Sequence, residues 1–133
     1  MAIEKVREYL KQFGADGRIR ELAESCATVE LAAQALHCEP RRIAKTLSFH
    51  LDDRVILIVA AGDARIDNRK YKEQFGRKAK MLAGEEAEPL TGHAVGGVCP
   101  FAVKEGVAIY LDVSLKRFET VFPACGSANS DIE

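Results

Sequence analysis

The side chain best placed to do chemistry is Lys45. In the run Ile43-Ala44-Lys45-Thr46-Leu47-Ser48-Phe49-His50-Leu51, three apolar residues (Leu47, Phe49, Leu51) alternate with Thr46, Ser48 and His50. That is the period of a half-buried strand. Two residues back from Leu47, the same apolar face carries Lys45. A cation there is costly unless an anionic or polar group meets it, which makes Lys45 a candidate ligand anchor. The stretch Gly92-His93-Ala94-Val95-Gly96-Gly97-Val98-Cys99-Pro100-Phe101 offers a second chemistry. Glycines let backbone N–H groups approach a ligand closely, and successive amides can form an anion-binding concavity. In acyl transfer the same device stabilises an oxyanion. Pro100 would stiffen the exit of the loop. A third stretch, Gly126-Ser127-Ala128-Asn129-Ser130, adds small hydroxyls, a carboxamide and open backbone. Cys99 with His93 as base would make a nucleophilic pair, but no third orienting group is visible, and a buried structural thiol is the simpler reading. His37 and His50 read as ordinary surface or core histidines. A serine nucleophile elbow, HExxH, a P-loop and a dinucleotide fingerprint are all absent from the sequence.

These residues need a scaffold. Ile3, Val6, Leu10 and Phe13 form a helical stripe ending at Gly14. Residues 18–22 suit a short strand. Thr28 suits the N-cap of a helix carrying Val29, Ala32, Ala33 and Leu36. Pro40 predicts a short helix ending near Lys45, followed by the strand through Leu51. Asp52-Asp53 predicts a tight turn, and residues 55–61 are a continuous apolar run that suits a central strand. Asp67 and Gly76 bracket a helix. Short strands are expected at residues 78–82, 107–113 and 119–122. A short helix is expected at 85–90, another capped by Ser114, and a final strand begins at Asp131. Helices and strands mix without regular alternation, so the predicted class is α+β with a mixed central sheet and peripheral helices.

The chain of 133 residues suits a single domain spanning residues 1–133. Its apolar fraction of 47% argues for a folded chain. No run of about 18 apolar residues occurs, and the charged N-terminus lacks a signal-peptide core, so a cytoplasmic location is expected. A net charge of −1 excludes bulk polyanion binding. Residues 65–80 nevertheless hold seven cations against two acids, a patch that could meet phosphates or simply be solvated. Cys26, Cys38, Cys99 and Cys125 show no CxxC spacing and read as free thiols. A zinc set drawn from Cys26, His37, Cys38 and Cys125 would need adjacent ligands, which is not the usual spacing. No metal or cofactor is expected.

Several segments together carry a resemblance. They are Thr28-Val29-Glu30-Leu31-Ala32-Ala33, Ile43-Ala44-Lys45-Thr46-Leu47, Gly62-Asp63, Thr91-Gly92, Gly96-Gly97-Val98-Cys99-Pro100-Phe101, and Asp131-Ile132-Glu133 behind a glycine-led loop. In this order and spacing, over residues 3–133, the chain resembles the YbaK/prolyl-tRNA-synthetase-associated domain family of trans-editing aminoacyl-tRNA deacylases. The resemblance implies a partly barrel-like sheet. It also implies hydrolysis of the ester between a wrong amino acid and the 3′ end of a tRNA, most often tRNA for proline carrying cysteine, alanine or another small residue. Prolyl-tRNA synthetase is then a possible partner. By the same resemblance Lys45 contacts the terminal adenosine phosphate or the substrate, with Thr46 beside it. Gly96, Gly97 and Val98 offer amides near the ester carbonyl, with Pro100 and Phe101 next to the substrate, and Gly126, Ser127 and Asn129 form the other rim. An aminoacyl ester is already activated, so positioning and carbonyl polarisation suffice without a metal or a covalent nucleophile. Residues 126–130 lack the arginine or histidine that some family members carry there. Family members usually continue into a strand and a helix beyond the position of Glu133, so a longer chain is expected. Two other readings stay open: a non-catalytic RNA- or nucleotide-binding module on the same fold, and a cysteine-dependent enzyme using Cys99.

Overall fold

Local signals set most of the element boundaries. The computed structural model describes residues 2–133. In chain order the elements are α1 (Ala2–Lys11), β1 (Arg20–Glu21), α2 (Val29–Leu36), β2 (Ile43–Leu51), β3 (Arg54–Ala61), α3 (Asn68–Phe75), α4 (Gly84–Thr91), β4 (Ala108–Leu111), β5 (Phe122–Pro123) and β6 (Ser130–Asp131). Short 3-10 turns lie at Asp16–Arg18, Pro40–Arg42 and Val113–Arg117. Thr28 caps α2 by accepting the Leu31 N–H at 3.1 Å. Asp67 caps α3 by accepting the N–H groups of Arg69 and Lys70, and Gly76 ends that helix in the left-handed region.

The larger sheet has the order β4-β3-β2-β5. β2 and β3 form an antiparallel hairpin through the Asp52-Asp53 turn, with Lys45 opposite Ala60 and Phe49 opposite Ile56. β4 joins β3 in parallel and β5 joins β2 in parallel. The small β1-β6 sheet is tied to the larger one by a bridge between Ala124 and Asp131, so the strands curl into an incomplete barrel. This is a mixed α+β domain, as the sequence predicts. Residues Ile56 to Ala61 of the apolar run are buried, because that strand is central and covered on both faces.

Apolar packing divides into three clusters. One joins α2 to Cys26, Ile43 and Phe122. A second joins α1 to Cys99, Cys125 and Ile132. The third packs Phe49, Leu51, Ile56 and Ile58 on Tyr71 of α3. No helix among the described residues is long and apolar enough to cross a membrane.

Several boundaries differ from the sequence reading. The helix expected to run from Pro40 to near Lys45 is a turn that ends at Arg42, so the strand begins at Ile43 and Lys45 is its third residue. The strand expected at 18–22 shortens to two residues because Asp16–Arg18 takes a 3-10 turn. Residues 78–82 form only one bridge, Met81 with Phe49, and the strand expected at 119–122 is limited to Phe122–Pro123. Asp112, not Ser114, caps the Val113–Arg117 turn. Its carboxylate accepts the Ser114 N–H, while Ser114 Oγ accepts the Ala61 N–H of β3.

Candidate functional site

A gap in the sheet edge makes the site. β3 covers one edge of β2 along its length. The other edge is covered only at its ends. At one end β5 pairs with Ile43 and Ala44. At the other, Met81 bridges Phe49, the Leu82 N–H donates to the Ser48 C=O at 3.1 Å, and the His50 N–H donates to the Lys80 C=O at 2.8 Å. Among the described residues, no strand pairs with Lys45, Thr46 or Leu47 on that side. A cavity of about 500 Å³ opens along the gap. The stretch of β2 in its wall, Ile43 to Ser48, spans roughly 17 Å at strand rise.

Lys45 lines this cavity, and its Nζ donates to the Ala64 C=O and, at 3.4 Å, to the Gly62 C=O. Both carbonyls belong to the turn that leaves β3. Gly62 is required there because a Cβ would lie 2.0 Å from the Pro40 carbonyl oxygen. An ammonium has three protons, so two carbonyls hold the side chain in place and leave one donor for a ligand. The structure contains no carboxylate paired with Lys45 among the described residues. Thr46 also lines the cavity, and its buried Oγ1 has no hydrogen-bond partner.

The 92–101 loop supplies the opposite wall through Val95, Gly96 and Val98. Gly96 adopts φ 91°, and neither its N–H nor that of Val98 donates to a protein acceptor among the described residues. The Gly97 N–H, in contrast, donates to the Ala94 C=O at 3.0 Å, and Gly97 does not line the cavity. The expectation of three free amides therefore reduces to two. Gly97 has a packing role instead: a Cβ there would lie 2.7 Å from both the Gly126 carbonyl carbon and the Ser127 nitrogen.

The 126–130 loop, expected at the rim, is braced by bonds within itself and to residues 22–26. Ser127 Oγ donates to Asn129 Oδ1 at 3.1 Å and lies 2.6 Å from Ser130 Oγ. Asn129 Nδ2 donates to the Leu22 C=O at 2.8 Å, and the Leu22 N–H donates to the Asn129 C=O at 2.7 Å. The Cys26 N–H donates to the Ala128 C=O. Gly126 lies against the first turn of α1. None of Gly126, Ser127 or Asn129 lines the cavity itself, nor do Pro100 and Phe101. The Phe101 ring packs on the α1 cluster, and its C=O accepts from His93 Nε2 at 2.7 Å.

One wall residue was missed by the sequence reading. Asp131 is 2% exposed, lines the cavity, and leaves Oδ2 without a partner. Burial raises its carboxyl to about 6, partly offset by a hydrogen bond from the Cys26 thiol. Burial, together with that carboxylate, pushes the Cys26 thiol up to about 12. The sequence marks Asp131 as the start of a strand, but an acid next to a polar loop carries no local signal of burial, so its place in the wall was not read.

The remaining candidates lie elsewhere. His93 and Cys99 do meet, but both are fully buried away from the cavity. His37 sits in the left-handed C-cap of α2, and His50 Nε2 lies 3.1 Å from both oxygens of Glu86. Cys26 and Cys38 share one apolar cluster while Cys125 belongs to another. No residue of the basic 65–80 segment lines the cavity, and its Arg69 and Arg77 pair with Glu73 and Asp52.

The fold is a small α+β domain whose incomplete mixed barrel places a lysine and two loop amides, unbonded among the described residues, around one cavity. A family model for the aminoacyl-tRNA editing domain matches residues 23–133, and the chain belongs to that family. It is 53% identical over 134 residues to the uncharacterized protein YwhH of Bacillus subtilis (strain 168), covering 100% of this chain and 85% of that protein. It is 33% identical over 101 residues to the proline–tRNA ligase of Geobacillus sp. (strain WCH70), covering 75% of this chain. The match spans only 18% of that ligase. Among solved structures, one described as a candidate trans-editing enzyme for prolyl tRNA synthetase superposes with a TM-score of 0.87 at 30% identity, covering 98% of this chain and 83% of that one. The hypothetical protein APE2540 superposes with a TM-score of 0.87 at 29% identity, covering 96% and 86%.

Proposed function

We propose that the protein is an aminoacyl-tRNA deacylase that hydrolyses mischarged tRNA for proline carrying cysteine, alanine or another small amino acid. The observation that carries this reading is the convergence of Lys45 and the unbonded amides of Gly96 and Val98 on one cavity. Its volume of about 500 Å³ lies in the range of small-molecule sites, roughly 300–1,000 Å³. Lys45 anchors the substrate, through the terminal adenosine phosphate or the aminoacyl group. The Gly96 and Val98 amides face the ester carbonyl and stabilise the charge that builds on its oxygen during attack. Thr46 contributes its unpaired hydroxyl beside Lys45.

The ester is already activated, so the attacking oxygen or sulfur can come from water, a ribose hydroxyl or the substrate's own side chain. This chemistry needs neither a metal nor a covalent protein nucleophile. The Gly126, Ser127 and Asn129 loop supports the wall from outside, through the close approach of Gly97 and the Cys26 N–H, and so fixes the size of a site that admits residues smaller than proline. The likeness to part of proline–tRNA ligases supports action on tRNA for proline, beside the synthetase and in the cytoplasm, where tRNA is charged.

The test is a deacylation panel on tRNA for proline charged with cysteine, alanine, serine, threonine and 2-aminobutyrate. Release of at least one small amino acid faster than of proline supports the reading. Binding without turnover on every substrate would assign the fold to a non-catalytic RNA-binding module instead.

A further inference from the structure

We propose that Asp131 reads a hydrogen-bond donor on the aminoacyl group bound in the cavity. The donor is either the α-ammonium or a side-chain hydroxyl or thiol. This inference rests on the editing function proposed above.

Among the described residues, four buried side-chain polar atoms lack a hydrogen-bond partner: Thr46 Oγ1, Tyr71 Oη, His93 Nδ1 and Asp131 Oδ2. Two of them, on Thr46 and Asp131, belong to the cavity wall. A buried acceptor left bare is destabilising unless something completes its bonding. Within the neighbourhood the Cys26 thiol bonds the carboxyl, yet Oδ2 stays without a partner. It lies at the β5 end of the gap, where Cys26, Ala32, Ile43, Ala44 and Ala124 make an apolar wall.

The nearby arginines are committed elsewhere. Arg20 is the register partner of Asp131 in β1, yet its guanidinium pairs with Glu133. Arg42 pairs with Glu133 and donates to Thr120 Oγ1. Lys45, whose third proton remains for a ligand, is drawn toward the Gly62 and Ala64 carbonyls and makes no ion pair with Asp131 among the described residues. Asp131 thus lines the cavity with a buried Oδ2 that has no partner in the protein, and Arg20 and Arg42 pair elsewhere. The Gly96 and Val98 amides are donors, but no hydrogen bond joins either of them to Asp131 among the described residues. A substrate that places its carbonyl on those donors and its own donor on Asp131 uses both walls. The alanines beside Asp131 leave room for a small side chain.

The experiment compares wild type with Asp131→Asn and Asp131→Ala on tRNA for proline carrying serine, 2-aminobutyrate, alanine and N-acetylalanine. Serine and 2-aminobutyrate differ by a hydroxyl in place of a methyl group, and acetylation removes the ammonium. Folding of each variant is checked by thermal melting. A side-chain donor predicts that Asp131→Ala lowers kcat/KM about tenfold or more for serine while leaving 2-aminobutyrate within about twofold. An α-ammonium donor predicts that loss for every free aminoacyl substrate but not for N-acetylalanine. Equal losses on all four substrates, N-acetylalanine included, would make Asp131 structural and overturn the inference, as would no loss on any.

A second measurement separates the inference from the function it rests on. Binding of hydrolysis-resistant 3′-alanylamino- and 3′-serylamino-adenosine is measured by calorimetry. If wild type binds them without deacylating any tRNA, the catalytic reading fails, and a Kd raised about tenfold in Asp131→Ala still upholds the donor contact. An unchanged Kd, or no binding by wild type at all, overturns it.

Discussion

The Nε2 of His93 lies 3.5 Å from the Sγ of Cys99, the separation of a working imidazole–thiol pair, yet both side chains are 0% exposed. Burial pushes the thiol up to about 12 and lowers the imidazole, so neither holds the charge that nucleophilic catalysis requires. The pair also lies outside the cavity. Cys99→Ala should keep kcat/KM within about threefold of wild type while costing on the order of 1 kcal/mol of stability. Steady-state deacylation with a urea melt checks both. A thiol reagent should label Cys99 only after unfolding, and a hundredfold loss of kcat in the variant would reinstate the cysteine mechanism.

Gly97 marks where two loops press together. Its substitution by alanine puts a methyl group 2.7 Å from backbone atoms of Gly126 and Ser127, which cannot rotate away. The loops must separate, at a cost of about 1–3 kcal/mol. Gly96 and Val98 move with them, so Gly97→Ala should lower both the urea midpoint and kcat. A variant with wild-type stability and activity would show that the loop contact is not needed.

Asp131 gives stability a pH dependence of its own. Its carboxyl sits at about 6 in the folded protein against 3.8 for a free side chain. The folded state therefore holds a proton that the unfolded state has already lost between those values. Stability from this group is fully present below about pH 4 and declines as pH rises through 6. The ionised, buried carboxylate then costs on the order of 3 kcal/mol. Asp131→Asn removes the titration, so the variant should gain relative to wild type from pH 4 to pH 7.5, by about 1–3 kcal/mol once the new amide's own needs are counted. Urea unfolding at four pH values reads the difference. A gap between the two proteins that stays constant with pH would refute the assignment.

Much of this arrangement was legible where the signal is local. Alternation from Leu47 to Leu51 placed Lys45 on the strand, and capping residues placed α2 and α3 within a residue or so. The glycines at 96 and 97 marked a loop with backbone chemistry. The division of labour between them was not readable, because it depends on the Ala94 carbonyl and on the distant Gly126 loop. Phe101 was expected beside the substrate, but its ring follows the apolar demand of α1 and turns into that cluster. Asp131 was read as part of the Asp131-Ile132-Glu133 segment, but its place in the cavity wall was hidden for a similar reason. Its burial comes from β1, Cys26 and Ala124, which the chain brings to it from over 100 residues away or across a loop. Strands that depend on such distant pairing, near residues 20 and 122, were among those read too long.

The central claim is that Lys45 anchors the substrate beside the two free amides. It is tested most directly by the rate of deacylation of alanyl- and cysteinyl-tRNA for proline by wild type and Lys45→Ala under single-turnover conditions. Removing a cation that contacts the substrate or its phosphate should slow hydrolysis by about 10²–10³-fold while the thermal melt stays close to that of wild type. A folded Lys45→Ala protein that deacylates within about threefold of the wild-type rate would contradict the account.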